Sequence, residues 1–354
     1  MGGVGRTRAS RGDLRRWVWA ANPNTPVGKN STFTFGRNGN LILAESNGRV
    51  VWQTKTANKG VTDIKLLSNG NLVLVDKTGR FVWQSFDHPT DTLLNGQGLP
   101  VLGSSKLVSG SYSMDVESRY PVLLFKNKKN PPMVYHSFTE FVDSYDKVKF
   151  FAVGKRFSLF YEGTGDATVD REVILSQRKY NTTLSMLRLE KEGDLHVYTY
   201  NGKLKAWETS KYSYLVPSIY ECSMPEKCGV FGLCKNKKCV SCPSSKGLMA
   251  WSKECKREKI PPCSSTTSRA GFYKMESVSS SIRTDNNGDY KKMSVDECKK
   301  KCSEDCKCTG VFYRSEEGTC TVSTTEIYTL TSDPIRYELG YIEPVVDTYI
   351  KYAK

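Results

Sequence analysis

One stretch decides the fold because it occurs twice: Asn69-Gly70-Asn71-Leu72-Val73-Leu74 and, after four intervening residues, Gly79-Arg80-Phe81-Val82-Trp83-Gln84. The earlier copy reads Asn38-Gly39-Asn40-Leu41-Ile42-Leu43 and then Gly48-Arg49-Val50-Val51-Trp52-Gln53, at a constant offset of 31 residues. In each copy an Asn-Gly pair precedes an alternating strand, a second Gly turn follows, and the next strand carries a Trp. Each copy is therefore predicted to form a β-hairpin-like unit with a buried tryptophan.

Two further stretches extend this pattern. Trp19, within the segment Trp17-Val18-Trp19-Ala20-Ala21-Asn22-Pro23, takes the place of the repeated tryptophan in a preceding unit. Three such tryptophans would pack together as a common core between three sheets. A fainter copy, Gly193-Asp194-Leu195-His196-Val197-Tyr198, precedes Trp207 and predicts a second, diverged β domain of the same kind.

The cysteines divide the chain of 354 residues in two, because all twelve lie between Cys222 and Cys320. The length predicts two to four domains, and an even number of closely spaced cysteines is typical of disulfide-bonded modules in an oxidising compartment. Cys239 and Cys242 have the spacing of a zinc site, but the chain has only three histidines and none lies near the cysteines. Disulfides are therefore favoured over zinc, and no metal or cofactor site is predicted.

The targeting signals are mixed. Asn30-Ser31-Thr32 and Asn181-Thr182-Thr183 are N-glycosylation sequons, which agree with passage through the secretory pathway. Residues 1–16 are basic and lack the apolar stretch of a signal peptide, so we expect a truncated N-terminus and a signal peptide absent from this chain. No run of about 18 apolar residues predicts a membrane span.

The net charge of +15 comes largely from scattered lysines. No recognised nucleic-acid motif accompanies this charge, so nucleic acid is not an expected partner. Anionic cell-wall polysaccharide is the more plausible electrostatic partner, although most of the lysines are expected to be solvated surface residues.

Residues 17–23, the two Gly-Asn-Leu strands and the segment 82–93 (Val-Trp-Gln-Ser-Phe-Asp-His-Pro-Thr-Asp-Thr-Leu) together resemble the bulb-type, mannose-specific lectin family of plants. Within it they are similar to epidermis-specific secreted glycoproteins and to the ectodomains of S-locus-type receptor kinases. The resemblance implies a mainly β chain with a β-prism II lectin domain at 1–105 and a second prism-like β domain at 106–217. An EGF-like module at 218–258 and a PAN/apple (α+β) module at 259–354 would follow.

In mannose-binding members of this family the strand motif is Gln-x-Asp-x-Asn-x-Val-x-Tyr. Alternate residues point to one strand face, so their polar groups converge on adjacent sugar hydroxyls. The motif is degenerate here: the second copy has Leu67 and Val75 at its first and last positions, and the third reads Glu190, Glu192, Asp194, His196 and Tyr198. The carbohydrate-binding positions carried over are Asn38, Asn40, Ile42, Asn69, Asn71 and Val73, with the second copy the best preserved. An alternative interpretation treats Asn40 and Asn71 as turn residues that tolerate left-handed backbone.

The cysteine spacing from residue 222 to 255 resembles the EGF-like module of the same plant proteins, and the later cysteines resemble a PAN module. Spacing alone leaves the pairing open. The resemblance implies the pairs Cys222–Cys234, Cys228–Cys239, Cys242–Cys255, Cys298–Cys320 and Cys302–Cys308, with Cys263 and Cys306 left as a sixth pair. Ser294 and Glu297 predict a capping box that starts a helix carrying Cys298 and Cys302 on one face.

These patterns favour a binding protein over an enzyme, since no motif for nucleophilic, metal or phosphate chemistry is present. The expected protein is secreted, extracellular and located in the apoplast or cell wall, and it binds glycans of cell-wall polymers or glycoproteins, mannose-type ones among them. The alternative is a decoy-like receptor ectodomain that binds a protein partner, or a second copy of itself, through the PAN and EGF-like modules without sugar.

Overall fold

A computed structural model of the chain describes residues 3–5, 16–100, 105–116, 120–127, 131–138, 147–153, 156–162, 171–177, 184–209, 218–253, 255, 270–282, 291–332 and 346–353. The predicted mainly β fold is confirmed. The chain divides into two compact units, of which the first comprises Met1–Pro121 with Phe141–Leu215 and the second comprises Val122–Glu140 with Val216–Lys354.

The first unit begins with the repeat region, which forms three antiparallel groups of strands. Two copies of the repeat give two three-stranded sheets, β3-β4-β5 and β6-β7-β8, and β1 pairs with β2. The strands are β1 (Gly3–Gly5), β2 (Trp17–Ala20), β3 (Thr32–Phe35), β4 (Leu41–Ala44), β5 (Val50–Gln53), β6 (Val61–Leu66), β7 (Leu72–Asp76) and β8 (Phe81–Gln84). The family prism has three four-stranded sheets, so the described part of this prism is smaller.

Three tryptophans form the centre of this prism, as the sequence predicts. Trp19, Trp52 and Trp83 meet edge-to-face, with ring centroids 5.7, 6.0 and 5.8 Å apart. Edge-to-face packing suits the aromatic quadrupole and adds to the burial of the rings. The indole N–H of Trp19 donates to the backbone carbonyl of His88 at 2.8 Å, which satisfies its polar atom.

The chain continues from the first prism into the second β domain. The β11–β12 segment is a hairpin, β9 joins a sheet of order β20-β19-β18-β9, and β10 joins a sheet of order β10-β15-β16-β17. The strands from here to residue 209 are β9 (Thr92–Leu94), β10 (Gln97–Pro100), β11 (Leu107–Ser109), β12 (Tyr112–Val116), β13 (Pro121–Phe125), β14 (Met133–Ser137), β15 (Lys147–Val153), β16 (Arg156–Glu162), β17 (Arg171–Gln177), β18 (Ser185–Leu189), β19 (Leu195–Asn201) and β20 (Ala206–Thr209). Of these, β13 and β14 pair antiparallel and, apart from Pro121, belong to the second unit.

Besides the pair β13 and β14, the second unit contains two five-stranded sheets and one helix. The sheet orders are β23-β22-β21-β29-β25 and β24-β30-β27-β28-β26. The elements are β21 (Leu233–Lys235), β22 (Lys238–Ser244), β23 (Gly247–Ala250), β24 (Ala270–Met275), β25 (Ser279–Ser280), β26 (Lys291–Lys292), α1 (Val295–Glu304), β27 (Gly310–Arg314), β28 (Thr319–Ser323), β29 (Leu330–Thr331) and β30 (Val346–Ala353). Within the described ranges, no helix is long and apolar enough to cross a membrane.

The segments predicted as EGF-like and PAN modules share a sheet and a core. Strand β21 pairs in parallel with β29, and the buried cluster joins Phe231 and Leu233 to Phe312, Leu330 and Ile350. Cutting the chain near residue 260 would therefore expose apolar side chains on both sides. Binding experiments on either segment should therefore use a protein that contains both.

The disulfides of the described residues join the pairs that the family resemblance implied. These are Cys222–Cys234, Cys228–Cys239, Cys242–Cys255, Cys298–Cys320 and Cys302–Cys308. Cys306 is also disulfide-bonded, whereas Cys263 lies outside the described residues.

The capping box is confirmed at the start of α1. The Ser294 hydroxyl accepts from the Glu297 N–H, and the Glu297 carboxylate accepts from the Ser294 N–H at 2.8 Å. At the other end the buried ammonium of Lys351 donates to the carbonyls of Cys302 and Asp305, at 2.8 and 2.9 Å. A cation at the carbonyl end of a helix complements the helix dipole.

Candidate functional site

The three copies of the motif share one turn. In each, the N–H of the first motif residue donates to the carbonyl of the fifth, and the N–H of the glycine donates back to the first carbonyl. The turns span residues 36–40, 67–71 and 190–194, with bond lengths of 2.7 to 3.0 Å. The faint third copy therefore has the same backbone as the two clear ones.

The asparagine at the fifth position, Asn40 or Asn71, is buried in the first two copies and serves the fold. The Asn40 amide donates to Gln53 Oε1 at 2.8 Å, and its oxygen accepts from Thr54 Oγ1 and the Thr56 N–H. Asn71 repeats the arrangement in the second copy. Each asparagine thus joins its turn to the segment that follows the core tryptophan.

The interpretation of Asn40 and Asn71 as left-handed turn residues is wrong. The left-handed positions are the preceding glycines, Gly39 with φ 80° and Gly70 with φ 91°. Only glycine adopts this backbone at little cost. The asparagines are needed instead for their side-chain amides.

The second copy, which is the better preserved in sequence, has buried valines at its last two motif positions. Val73 is 0% exposed and Val75 is 4% exposed. Their cross-strand neighbours on the same face are Lys65 and Gln84 for Val73, and Asp63 and Phe81 for Val75. A sugar could not contact these valines unless the neighbouring side chains moved.

The first copy presents an open face, which we call the first outer face and define as Thr32, Thr34, Ile42, Ala44, Val50 and Gln53. Thr34, Ile42 and Gln53 form one cross-strand row, and Thr32, Ala44 and Val50 form the next. Ile42 and Ala44 are half-buried, the two threonines and Gln53 are exposed, and Val50 is 49% exposed. An apolar floor with hydroxyl and amide groups at its rim suits a sugar ring, which has C–H faces and hydroxyl edges.

Polar groups of the third copy are bonded to one another and to neighbouring strands. Tyr198 donates to Glu190 at 2.6 Å, and His196 lies 2.6 Å from Asp194. Burial, and then the hydrogen bond to Glu190, raise the pKa of Tyr198 to about 12, and the hydrogen bond to Asp194 raises the pKa of His196. Arg188, on the neighbouring strand, pairs with Asp91 at 2.8 Å.

The predicted sugar-binding residues thus fall into three environments. Asn38 and Asn69 are exposed turn residues whose oxygens each accept a backbone N–H at 3.1 Å. Asn40, Asn71 and Val73 are buried, and Ile42 alone lies on an open apolar floor. That any of them binds sugar stays a prediction.

Thr34 and Gln53 were missed by the sequence reasoning. The signal available for Gln53 was the repeated Trp-Gln pair, since Gln84 follows Trp83 in the same way. Thr34 had no such signal, because the equivalent residue in the second copy is Lys65.

The first of the two sequons lies in an exposed turn. Asn30 is exposed in a turn in which Ser31 N–H donates to the Gly28 carbonyl at 3.3 Å. Asn181 lies outside the described residues. Within the described part of the chain, no group of three or more His, Cys, Asp or Glu residues could hold a metal ion.

Comparison with known families and proteins gives a consistent result. Residues 17–109 match the D-mannose binding lectin family, residues 143–252 match the S-locus glycoprotein domain and residues 275–349 match the PAN domain. EP1-like glycoprotein 3 of Arabidopsis thaliana is 42% identical over 337 residues, which cover 89% of this chain and 75% of that protein. Epidermis-specific secreted glycoprotein EP1 of Daucus carota is 46% identical, over 71% of this chain and 74% of that protein. G-type lectin S-receptor-like serine/threonine-protein kinase SD2-5 of Arabidopsis thaliana is 28% identical, over 86% of this chain and 37% of that protein.

Proposed function

We propose that this chain, which belongs to the EP1-like glycoprotein family, binds carbohydrate and has no catalytic activity. Its lectin, S-locus glycoprotein and PAN domains are those of that family. The observation that carries the proposal is the first outer face, the open apolar floor with a polar rim in the lectin domain. The ligand class is a neutral hexose such as mannose, displayed on extracellular glycoproteins or polymers of the apoplast and cell wall.

The first outer face supports this proposal through its chemistry. Ile42 and Ala44 offer a shallow apolar surface, and the Thr34 hydroxyl and the Gln53 side-chain NH2 lie on either side of it. The Gln53 Oε1 already accepts from Asn40. The carboxylate that directly follows β4, Glu45, pairs with Arg49 at 2.8 Å, and this hydrogen bond lowers the pKa of Glu45. The face itself is therefore neutral, as a site for an uncharged sugar would be.

Affinity at one such face is expected to be weak. A shallow site with a Kd of about 1 mM corresponds to only about 4 kcal/mol. The absence of the family's Gln, Asp and Tyr from the first copy removes hydrogen bonds worth about 0.5 to 1.5 kcal/mol each. Measurable binding therefore needs several sites acting together, as on a dense glycan surface.

The test is a glycan array probed with the secreted full chain, clustered by an antibody against a C-terminal tag. Thr34→Glu places a charged, longer side chain on the first outer face and should abolish binding. Lys65→Glu makes the matched change at the equivalent position of the second copy and should leave binding intact. Equal binding by wild type and Thr34→Glu would refute this site. Complete silence of the wild type would favour protein recognition through the second unit.

A gain-of-function variant tests the same face from the other direction. Asn38→Asp with Ala44→Tyr restores two of the missing family residues where the structure has room, because Asn38 is exposed and Ala44 is half-buried. This variant should bind mannose more tightly than the wild type. The corresponding Val75→Tyr change in the second copy should instead destabilise the prism, since Val75 is buried.

A further inference from the structure

The sequon at Asn30 lies at the edge of the first outer face. Asn30 is exposed in the turn that leads into β3, and Thr32, the third residue of the sequon, is the first residue of that strand. Thr32 belongs to the row that also contains Ala44 and Val50. Two residues of chain span at most about 7 Å, so Asn30 lies within that distance of the row's first member.

The second copy of the repeat provides an internal comparison. At the offset of 31 residues, Val61 replaces Asn30 and Asp63 replaces Thr32, so the second copy has no sequon. Val61 is buried at 9% exposure, and the motif valines of that copy are covered by protein. The sequon therefore occurs in the copy whose central residues, Ile42 and Ala44, are partly exposed.

We propose that Asn30 carries an N-linked glycan and that the sugars of this glycan lie over the first outer face, where they cover Ala44 and Val50. In the transfer, a bond forms between Asn30 Nδ2 and the anomeric carbon of a diphosphate-linked oligosaccharide donor. The bond from that carbon to the diphosphate oxygen breaks, and the diphosphate leaves as the amide loses one proton. The donor and its transferase are those of the secretory pathway, which the disulfides indicate.

This arrangement makes the glycan a tethered competitor of external sugar, a consequence that rests on the proposed function. A short flexible tether gives an effective concentration in the millimolar range, whereas the missing hydrogen bonds place the Kd of the face above about 1 mM. The face is then occupied for at most about half of the time, so removing the glycan should raise the apparent affinity by up to about twofold.

Occupancy is measured first and does not depend on sugar binding. The full chain is secreted from a eukaryotic host and digested, and the Asn30 peptide is analysed by mass spectrometry before and after enzymatic deglycosylation in heavy-oxygen water. An unmodified Asn30 overturns the proposal and leaves the proposed function untouched.

Covering of the face is measured by hydroxyl-radical labelling of wild type and Asn30→Gln. Val50 and Phe81 occupy equivalent positions in the two copies and are 49% and 47% exposed in the polypeptide alone, so Phe81 is the internal control. Labelling of Val50 should rise in Asn30→Gln while that of Phe81 stays constant. The change Asn181→Gln removes the other sequon and should alter the labelling of neither Val50 nor Phe81. Equal labelling of Val50 in wild type and Asn30→Gln overturns the proposal.

The sugar-binding comparison then separates the two ideas. If Asn30→Gln binds a mannosylated surface more strongly than the wild type and Asn181→Gln binds it equally, the covering glycan and the proposed function are both supported. A protected Val50 in a protein that binds no sugar in any variant supports the covering glycan and refutes the proposed function.

Discussion

Replacing Asn71 by alanine should destabilise the first prism much more than replacing Asn69, two residues earlier. The Asn71 side chain donates to Gln84 Oε1 at 2.8 Å and accepts from Ser85 Oγ at 3.2 Å and from the Phe86 N–H at 3.3 Å. Ser85 is only 3% exposed, and in the variant its buried hydroxyl loses the Asn71 oxygen as its acceptor. The loss is therefore mainly one of buried hydrogen bonds.

The magnitude follows from these contacts. A buried donor left unsatisfied costs about 1 to 3 kcal/mol, and the half-buried Phe86 and Gln84 groups add less, for a total of about 2 to 4 kcal/mol. With a urea m-value of about 2 kcal/mol/M, the unfolding midpoint should fall by about 1 to 2 M. For Asn69→Ala, which loses one exposed bond to the Asn71 N–H, we expect about 0.5 to 1 kcal/mol.

The assay is urea unfolding of the secreted protein followed by tryptophan fluorescence. Four of the six tryptophans lie in this prism, so the signal reports on it. Asn40→Ala should reproduce the effect of Asn71→Ala, because Asn40 makes the equivalent bonds. Equal midpoints for wild type and Asn71→Ala, or equal losses for Asn69→Ala and Asn71→Ala, would refute the structural role assigned here.

Three further predictions test other parts of the molecule. Lys351→Met removes the buried cation that binds the carbonyls at the end of α1 and should lower the free energy of unfolding by about 1 to 3 kcal/mol. Hydrogen exchange near residues 302–305 should become faster in this variant, whereas Lys300→Met, at an exposed position, should exchange like the wild type. Gly193→Ala should impair secretion, because its Cβ would lie 2.5 Å from the ring of buried Tyr112, whereas Gly110→Ala has open space and should cost only about 1 to 2 kcal/mol for its left-handed backbone. The raised pKa of His196 adds stability that is fully present below the unfolded pKa of about 6.5 and is lost as pH rises through the higher folded value. The wild-type midpoint should therefore fall as pH rises above about 6.5, and a His196→Gln protein that keeps the same fall would contradict this assignment.

The sequence by itself determined the local structure of the chain. The repeat at 31 residues predicts two hairpins whose tryptophans meet in one core, because the Asn-Gly turn, the strand alternation and the aromatic residue recur together. Ser294 and Glu297 likewise predict the start of α1, since a capping box depends only on residues three apart. These features rest on contacts within a few residues or between equivalent residues of successive repeats, so a single sequence predicts them.

Only the tertiary structure decided which faces of those hairpins are open and which residues serve the fold. The second copy matches the lectin motif better than the first, yet Val73 is buried while Ile42 is half-exposed. The amides of Asn40 and Asn71 bind side chains 13 residues away, and β21 is completed by β29, almost 100 residues later. Burial and long-range pairing depend on the positions of segments that are distant in sequence. The alternation of residues along one strand does not predict those positions.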